Sequence, residues 1–151
     1  MAKKFRSIIQ QMRRKGLTTA MEDYVKAIYL LGEKGKEVTT TELAQALKVR
    51  PPSATGMMKK LATWKILKHT PYRGVRLTPL GKRLALEIVR HHRLLELYLT
   101  VSMGYSWDNV HQEAEHLEHF ISEDFEEKMN ALLNNPKKDP HGSPIPGTDG
   151  R

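Results

Sequence analysis

"VTTTELAQALKVRPPSATGMMKKLATWKIL", residues 38–67, holds two short apolar periodicities separated by tandem proline. Thr39 and Glu42 have capping-box spacing, so a short helix starts there and turns Leu43, Ala44 and Leu47 inward. "KVRPP" forces a turn, because proline has no amide donor and disfavours helix in the residue before it. Pro52 suits the first position of a second helix, where no donor is needed. That helix spans about 52–64, with Met57, Leu61 and Trp64 inward and Lys59 and Lys60 exposed. Two short helices across a tight turn read as a helix-turn-helix.

The next stretch extends the pattern. "ILKHTPYRGVRLTPLGKRL", residues 66–84, predicts strands near 66–70 and 74–78 joined by a turn at "PYRG". Thr78 and Pro79 then open a long helix to about residue 100, with Leu84, Ile88, Leu94, Leu95, Tyr98 and Leu99 apolar. Helix, helix, hairpin is the order of a winged helix-turn-helix, with "TPYRGV" as the wing. Upstream, "MEDYVKAIYLLGEKG" gives an amphipathic helix through Met21, Tyr24, Val25, Ile28 and Leu31. The opening 19 residues carry six basic side chains and no acid. Phe5, Ile8, Ile9 and Met12 there predict a helix ending at Gly16, either packed on the domain or serving as a phosphate-contacting arm. A transit peptide is a third reading.

Beyond "SMGYSWDN" a helix runs over about 109–121, capped by Asp108 or Asn109, and another starts at Ser122. The stretch "NNPKKDPHGSPIPGTDGR", residues 134–151, is too rich in Pro and Gly for a regular element and reads as a linker or loose terminus. The organisation is a basic extension over 1–18, a winged helix-turn-helix over 19–80, a helical domain over 81–138 and a tail over 139–151.

Charge divides the chain in the same place. Residues 1–100 hold 21 Lys and Arg against 7 Asp and Glu, whereas 101–151 hold 4 against 10. A basic first part suits a polyanion, most simply double-stranded DNA. There is no cysteine, so disulfides and thiolate metal sites are excluded. No apolar run approaches the roughly 20 residues of a membrane span, and no secretory signal is visible, which makes the cytoplasm the expected location.

The acidic part concentrates its chemistry in "HQEAEHLEH", residues 111–119. At 100° per residue, Glu115, Glu118 and His119 fall at about 40°, 340° and 80° from His111, within one arc. Val110, Ala114, Leu117 and Ile121 form an apolar stripe beside it. No Lys or Arg lies between 94 and 127, so the stripe lacks the pairs four apart of an ordinary solvated helix. His92 and Glu96 share a face of the preceding helix. A solvated face and a ligand set for Mn, Fe, Zn, Co or Ni both fit, with the carboxylates leaning to the harder ions. His91 and His116 fall off the arcs. HExxH and HxxEH are absent, as are a nucleophile elbow, a phosphate loop and the paired Glu-x-x-His of a di-metal bundle, so no enzyme and no small-molecule substrate are expected.

These residues together resemble the diphtheria toxin repressor family of metal-activated transcription factors, which includes the manganese transport regulators. The resemblance covers about 19–147 and rests on "MEDYVKAIYLL", "YRGVRLTPLGKRLA", "RHHRLLELYL" and "VHQEAEHLEHFIS". It implies a mainly α protein, with a winged helix-turn-helix DNA-binding domain followed by a helical metal-binding and dimerisation domain, acting as a homodimer on operator DNA. It implies a primary site of Asp23, Glu115, Glu118 and His119 and a second of His92, Glu96 and His111, thus two ions per subunit. Iron-responsive members tend to have Met and Cys where this chain has Asp23 and Glu115, so it resembles the manganese branch, with Fe²⁺ the alternative. Lys26 replaces a glutamate of the small manganese regulators, which implies separated sites in place of a closely spaced pair. For DNA it implies contacts from Arg50, Pro52, Ser53 and Thr55, with Lys59, Lys60 and Arg73 as phosphate partners. Gly56 replaces a longer polar residue of the relatives. "DPHGSPIPGTDG" resembles the start of the linker that leads to an SH3-like third domain in longer relatives.

Overall fold

A computed structural model describes residues 7–148. Phe5 of the expected first helix and residues 149–151 of the tail lie outside the described residues. Among the described residues, seven helices and one two-stranded antiparallel sheet divide between two compact units, residues 8–85 and, with Ser7, residues 86–148.

The first unit contains α1 (Ile8–Arg14), α2 (Thr19–Leu31), α3 (Thr40–Leu47), α4 (Pro51–Thr63), β1 (Leu67–Thr70) and β2 (Gly74–Leu77). It is a winged helix-turn-helix. α1 is packed: Ile9 and Met12 are buried, and Arg13 forms a two-point ion pair with buried Glu22 of α2 at 2.7 and 3.2 Å. The Thr18 and Thr39 hydroxyls accept the amides of Met21 and Glu42, capping α2 and α3. α3 ends at Lys48 in the left-handed conformation, and Arg50 is the extended N-cap of α4.

α4 starts one residue earlier than the proline argument predicts, at Pro51, because either proline fits a position needing no donor. Its buried residues are Ala54, Met58 and Leu61, whereas Met57 and Trp64 are half-buried. The sheet register pairs Leu67 with Leu77 and Thr70 with Gly74. Val38 joins its edge through reciprocal hydrogen bonds with Val75 at 2.9 and 2.8 Å. Gly74 makes that approach possible: at φ +129°, any Cβ there would stand 2.3 Å from the Val38 carbonyl oxygen.

α5 (Pro79–Met103) starts in the first unit and continues in the second. The second unit adds α6 (Trp107–Leu117) and α7 (Glu123–Leu132). Ser106 is the N-cap of α6, ahead of the expected Asp108 or Asn109, and Ser122 accepts the Phe125 amide to cap α7. Leu94 and Leu95 of α5, Ala114 of α6, Ile121 and Met129 form its core. None of the helices among the described residues is long and apolar enough to cross a membrane.

Ile145 completes that core, so the tail is irregular without being loose. Asp139 Oδ1 accepts the amides of His141 and Ser143, and Lys138 bridges to Pro144. Arg90 and Arg93 of α5 donate to the carbonyls of Pro146 and Pro144. Proline interrupts a ladder of amide hydrogen bonds by removing donors, but it leaves carbonyls for guanidinium groups to take.

Candidate metal centre

The second unit brings several acidic and imidazole side chains together. α5 carries His92 and Glu96 on one face, four residues apart, and both are buried. α6 presents His111 and, one turn on, Glu115, with His111 Nε2 3.1 Å from Glu115 Oε1. α6 ends at Leu117, and Glu118 continues helically as its C-cap, fully buried. His119 lies just past the helix and is largely buried, with Nε2 3.7 Å from Glu118 Oε1.

These groups converge on His92. Its Nδ1 stands 2.6 Å from Glu118 Oε2, and its Nε2 lies 2.5 Å from Glu96 Oε1 and 3.1 Å from His111 Nδ1. His111 Nδ1 is also 3.0 Å from Glu96 Oε1. One donor atom from each of His92, Glu96 and His111 can be chosen so that all lie within 4.8 Å of one another. Glu118 faces the other nitrogen of His92, so the two expected ligand sets touch through that imidazole.

Two further residues went unnoticed in the sequence. His141 Nδ1 lies 2.9 Å from Glu96 Oε2, and Glu96, Asp139 and His141 form a second group within 4.8 Å. The Trp107 ring stands edge-on to His141, with centroids 5.6 Å apart. Only the "DPHG" turn, with Asp and His two apart, signals this in the sequence; the contact itself is long-range. His116 is exposed, and His91 serves another network, 2.7 Å from Glu126 Oε2. There burial opposes ionisation of Glu126, but the His91 hydrogen bond and the Arg90 guanidinium hold its carboxyl below the usual range.

Burial alone would push the Glu96 carboxyl up as well. Hydrogen bonds from His92 and His111, with the charges of His92 and His141, outweigh it and bring it down from 4.5 to about 2. A depressed folded-state pKa means that ionised Glu96 favours folding. That stability is present above about 4.5 and lost as pH falls toward about 2. Urea titrations of metal-free protein between these limits should therefore show a midpoint that drops with pH, and Glu96→Gln should flatten the drop.

The donor set fits a hard or borderline divalent cation. It consists of carboxylate oxygen and imidazole nitrogen without sulfur, buried around Glu96 and Glu118, where anionic charge is costly unless compensated. In the first unit Asp23 is half-buried on α2. Arg50, Pro52, Ser53, Thr55, Lys59 and Lys60 are exposed along α4 and its N-cap, and Arg73 is exposed at the hairpin tip.

Two family profiles match successive parts of the chain. Residues 16–75 match "Iron dependent repressor, N-terminal DNA binding domain", and residues 78–147 match "Iron dependent repressor, metal binding and dimerisation domain". The chain belongs to the iron-dependent repressor family. Like other members, it joins a DNA-binding domain to a metal-binding and dimerisation domain, and the family comprises metal-dependent transcriptional repressors. The iron-dependent repressor IdeR of Mycobacterium tuberculosis (strain ATCC 25618 / H37Rv) is 35% identical over 131 residues, 87% of this chain and 57% of that protein. The regulator MntR of Geobacillus kaustophilus (strain HTA426) is 38% identical over 105 residues, 70% of this chain and 74% of that one. A solved manganese-dependent transcriptional repressor in complex with manganese superposes with a TM-score of 0.81 at 42% identity, covering 87% of this chain and 60% of that one. The chain thus spans somewhat under two thirds of the longer repressors that it matches.

Proposed function

We propose that this family member is a homodimeric, Mn²⁺-activated repressor that binds operator DNA in the cytoplasm and controls metal uptake, with two ions per subunit. The observation that carries the reading is the cluster of buried Glu96, Glu118 and His92 with exposed His111 at its edge, which is rich in carboxylate and free of sulfur. Replacing soft donors by oxygen favours Mn²⁺ over thiophilic competitors, and Fe²⁺ is the variant that the same donors also accept. Asp23, Glu115, Glu118 and His119 would hold one ion. His92, Glu96 and His111 would hold the other, and Asp139 and His141 adjoin that set through Glu96.

A bound divalent ion supplies fixed positive charge that oxygen and nitrogen ligands share. The chain's own residues do the rest. His92 faces a carboxylate from each nitrogen, and an imidazole nitrogen ligates only when it carries no proton. Asp23 is the ligand contributed by the DNA-binding unit, through α2, and its participation would make the arrangement of the recognition helices depend on metal. Arg50, Ser53 and Thr55 read bases near the start of α4 with Pro52 in contact, and Lys59, Lys60 and Arg73 neutralise phosphates. The coupling between metal and DNA equals the difference in metal affinity between competent and incompetent arrangements.

The test is a DNA titration with the promoter region beside the protein's own gene, in Mn²⁺, Fe²⁺, Zn²⁺ or chelator. Operator affinity is expected to rise about 100-fold or more with Mn²⁺ and to return to the non-specific level with chelator, while far-UV circular dichroism stays unchanged. Equal affinity with and without metal would reject the switch.

A further inference from the structure

α1 lies ahead of the stretch that matches the family's DNA-binding profile, which begins at residue 16, yet it is built into the first unit. A helix of seven residues is not stable alone, so packing must hold it. Ile9, Met12 and Leu17 are buried. The Leu17 amide donates to the Met12 carbonyl at 2.9 Å and the Gly16 amide to the Arg13 carbonyl at 3.0 Å, with Gly16 at φ +108°. This is a glycine-terminated helix cap, and it leads directly into Thr18, the N-cap of α2. The extension is thus ordered by its own sequence up to the point where the matched domain takes over.

What it delivers is a guanidinium. Of Arg13, Arg14 and Lys15, only Arg13 turns inward, and the other two are exposed. Its Nη2 lies 2.7 Å from Glu22 Oε1 and its Nε 3.2 Å from Oε2. Two parallel contacts are the geometry in which arginine holds a carboxylate most firmly. Glu22 is fully buried in the first turn of α2, where an ionised carboxyl is costly without such a partner. The next residue is Asp23, half-buried and turned about 100° from Glu22 around the helix. A helical turn is stiff, so whatever fixes Glu22 about the helix axis also fixes the direction in which Asp23 is presented.

We propose that Arg13 is a positioning residue for the metal response: by holding Glu22 it orients Asp23, the ligand that the DNA-binding unit would contribute. This rests on the proposed metal set of Asp23, Glu115, Glu118 and His119, and it gives the basic extension a part in metal sensing. Loss of such support behind a ligand weakens a metal site by about ten- to a hundredfold.

The experiment is calorimetry with Mn²⁺ on the full chain, with thermal melting of the metal-free protein alongside. Asp23→Ala identifies the binding event that needs Asp23. Arg13→Gln is expected to weaken that event about tenfold and to leave the other Mn²⁺ event unchanged. The sign is diagnostic, because removing a cation would by charge alone strengthen Mn²⁺ binding. Arg13→Gln combined with Glu22→Gln removes the buried charge along with its partner, so Mn²⁺ affinity should return to within about twofold of the wild type. Arg13→Lys keeps the charge, loses the two-point grip and should bind Mn²⁺ about threefold more weakly. If Arg13→Gln shows no cooperative melting, Arg13→Lys decides in its place, and unchanged Mn²⁺ affinity there would overturn the proposal. So would an Arg13→Gln chain whose Tm falls while its Mn²⁺ affinity stays within about twofold of the wild type, which would leave Arg13 a structural partner only. A double variant as weak as Arg13→Gln would also overturn it, since Arg13 would then act by a route other than Glu22. If Asp23→Ala loses no Mn²⁺ event, the proposed metal set fails and the positioning role falls with it.

Discussion

Glu118→Gln is expected to abolish the Mn²⁺-dependent gain in DNA affinity, a loss of about 100-fold or more, with little change in the metal-free fold. Glu118 is fully buried at the end of α6, and its Oε2 faces His92 Nδ1 at 2.6 Å. Glutamine keeps the shape and an accepting oxygen for that imidazole but removes the negative charge that a divalent ion requires. Calorimetry with Mn²⁺ on the two proteins should show one binding event lost or strongly weakened, and anisotropy should show the variant binding DNA as the wild type does in chelator. Equal Mn²⁺ heats and equal operator affinities would mean that Glu118 is only a buried structural acid.

Gly74→Ala attacks the other unit through backbone geometry. The added Cβ would meet the Val38 carbonyl oxygen at 2.3 Å, and the residue would be held at φ +129°, where L side chains are strained. The clash can be relieved only by separating Val38 from Val75, which breaks two hydrogen bonds and exposes two fully buried valines. The expected cost is about 3 kcal/mol or more, enough to lower the Tm by roughly 6–12 °C. Differential scanning calorimetry checks the shift, and a Tm within about 2 °C of wild type would contradict this account of the hairpin. Operator binding should fall with it, because the wing hangs on that contact.

Local chemistry made most of the first unit legible in the sequence. Thr39 caps the helix that it precedes, the tandem prolines end one helix and open the next, and "PYRG" turns the hairpin. Each rests on atoms within four residues of one another. The misreadings occur where neighbours are interchangeable. Met57 and Met58 are adjacent and equally apolar, so only the true helix start decides that Met58 is the buried one. Ser106, Asp108 and Asn109 are all residue types that suit an N-cap, and the first takes the position without a side-chain hydrogen bond to the helix.

The candidate metal centre was legible in part. Helical spacing identifies His92 with Glu96 and His111 with Glu115 as shared faces, and the structure brings those faces together at Glu96. Asp23 entered only through the family resemblance. His141 and Asp139 were missed because their approach to Glu96 depends on where the tail docks. That docking is set by Arg90, Arg93 and Ile145, and no periodicity within the tail records it.

The docked tail also changes the connectivity of the second unit. Glu96 and His141 are 45 residues apart along the chain, and their 2.9 Å contact closes a loop containing α6 and α7. Any ligand shared by those two side chains acts as a cross-link, reducing the entropy of the unfolded ensemble as a disulfide would in a chain that has no cysteine. Such a ligand binds the folded loop and not the open one, so its free concentration sets how often the loop opens. Resistance to proteolysis across α6 and α7 would then track the availability of that ligand, linking the lifetime of the protein to its concentration.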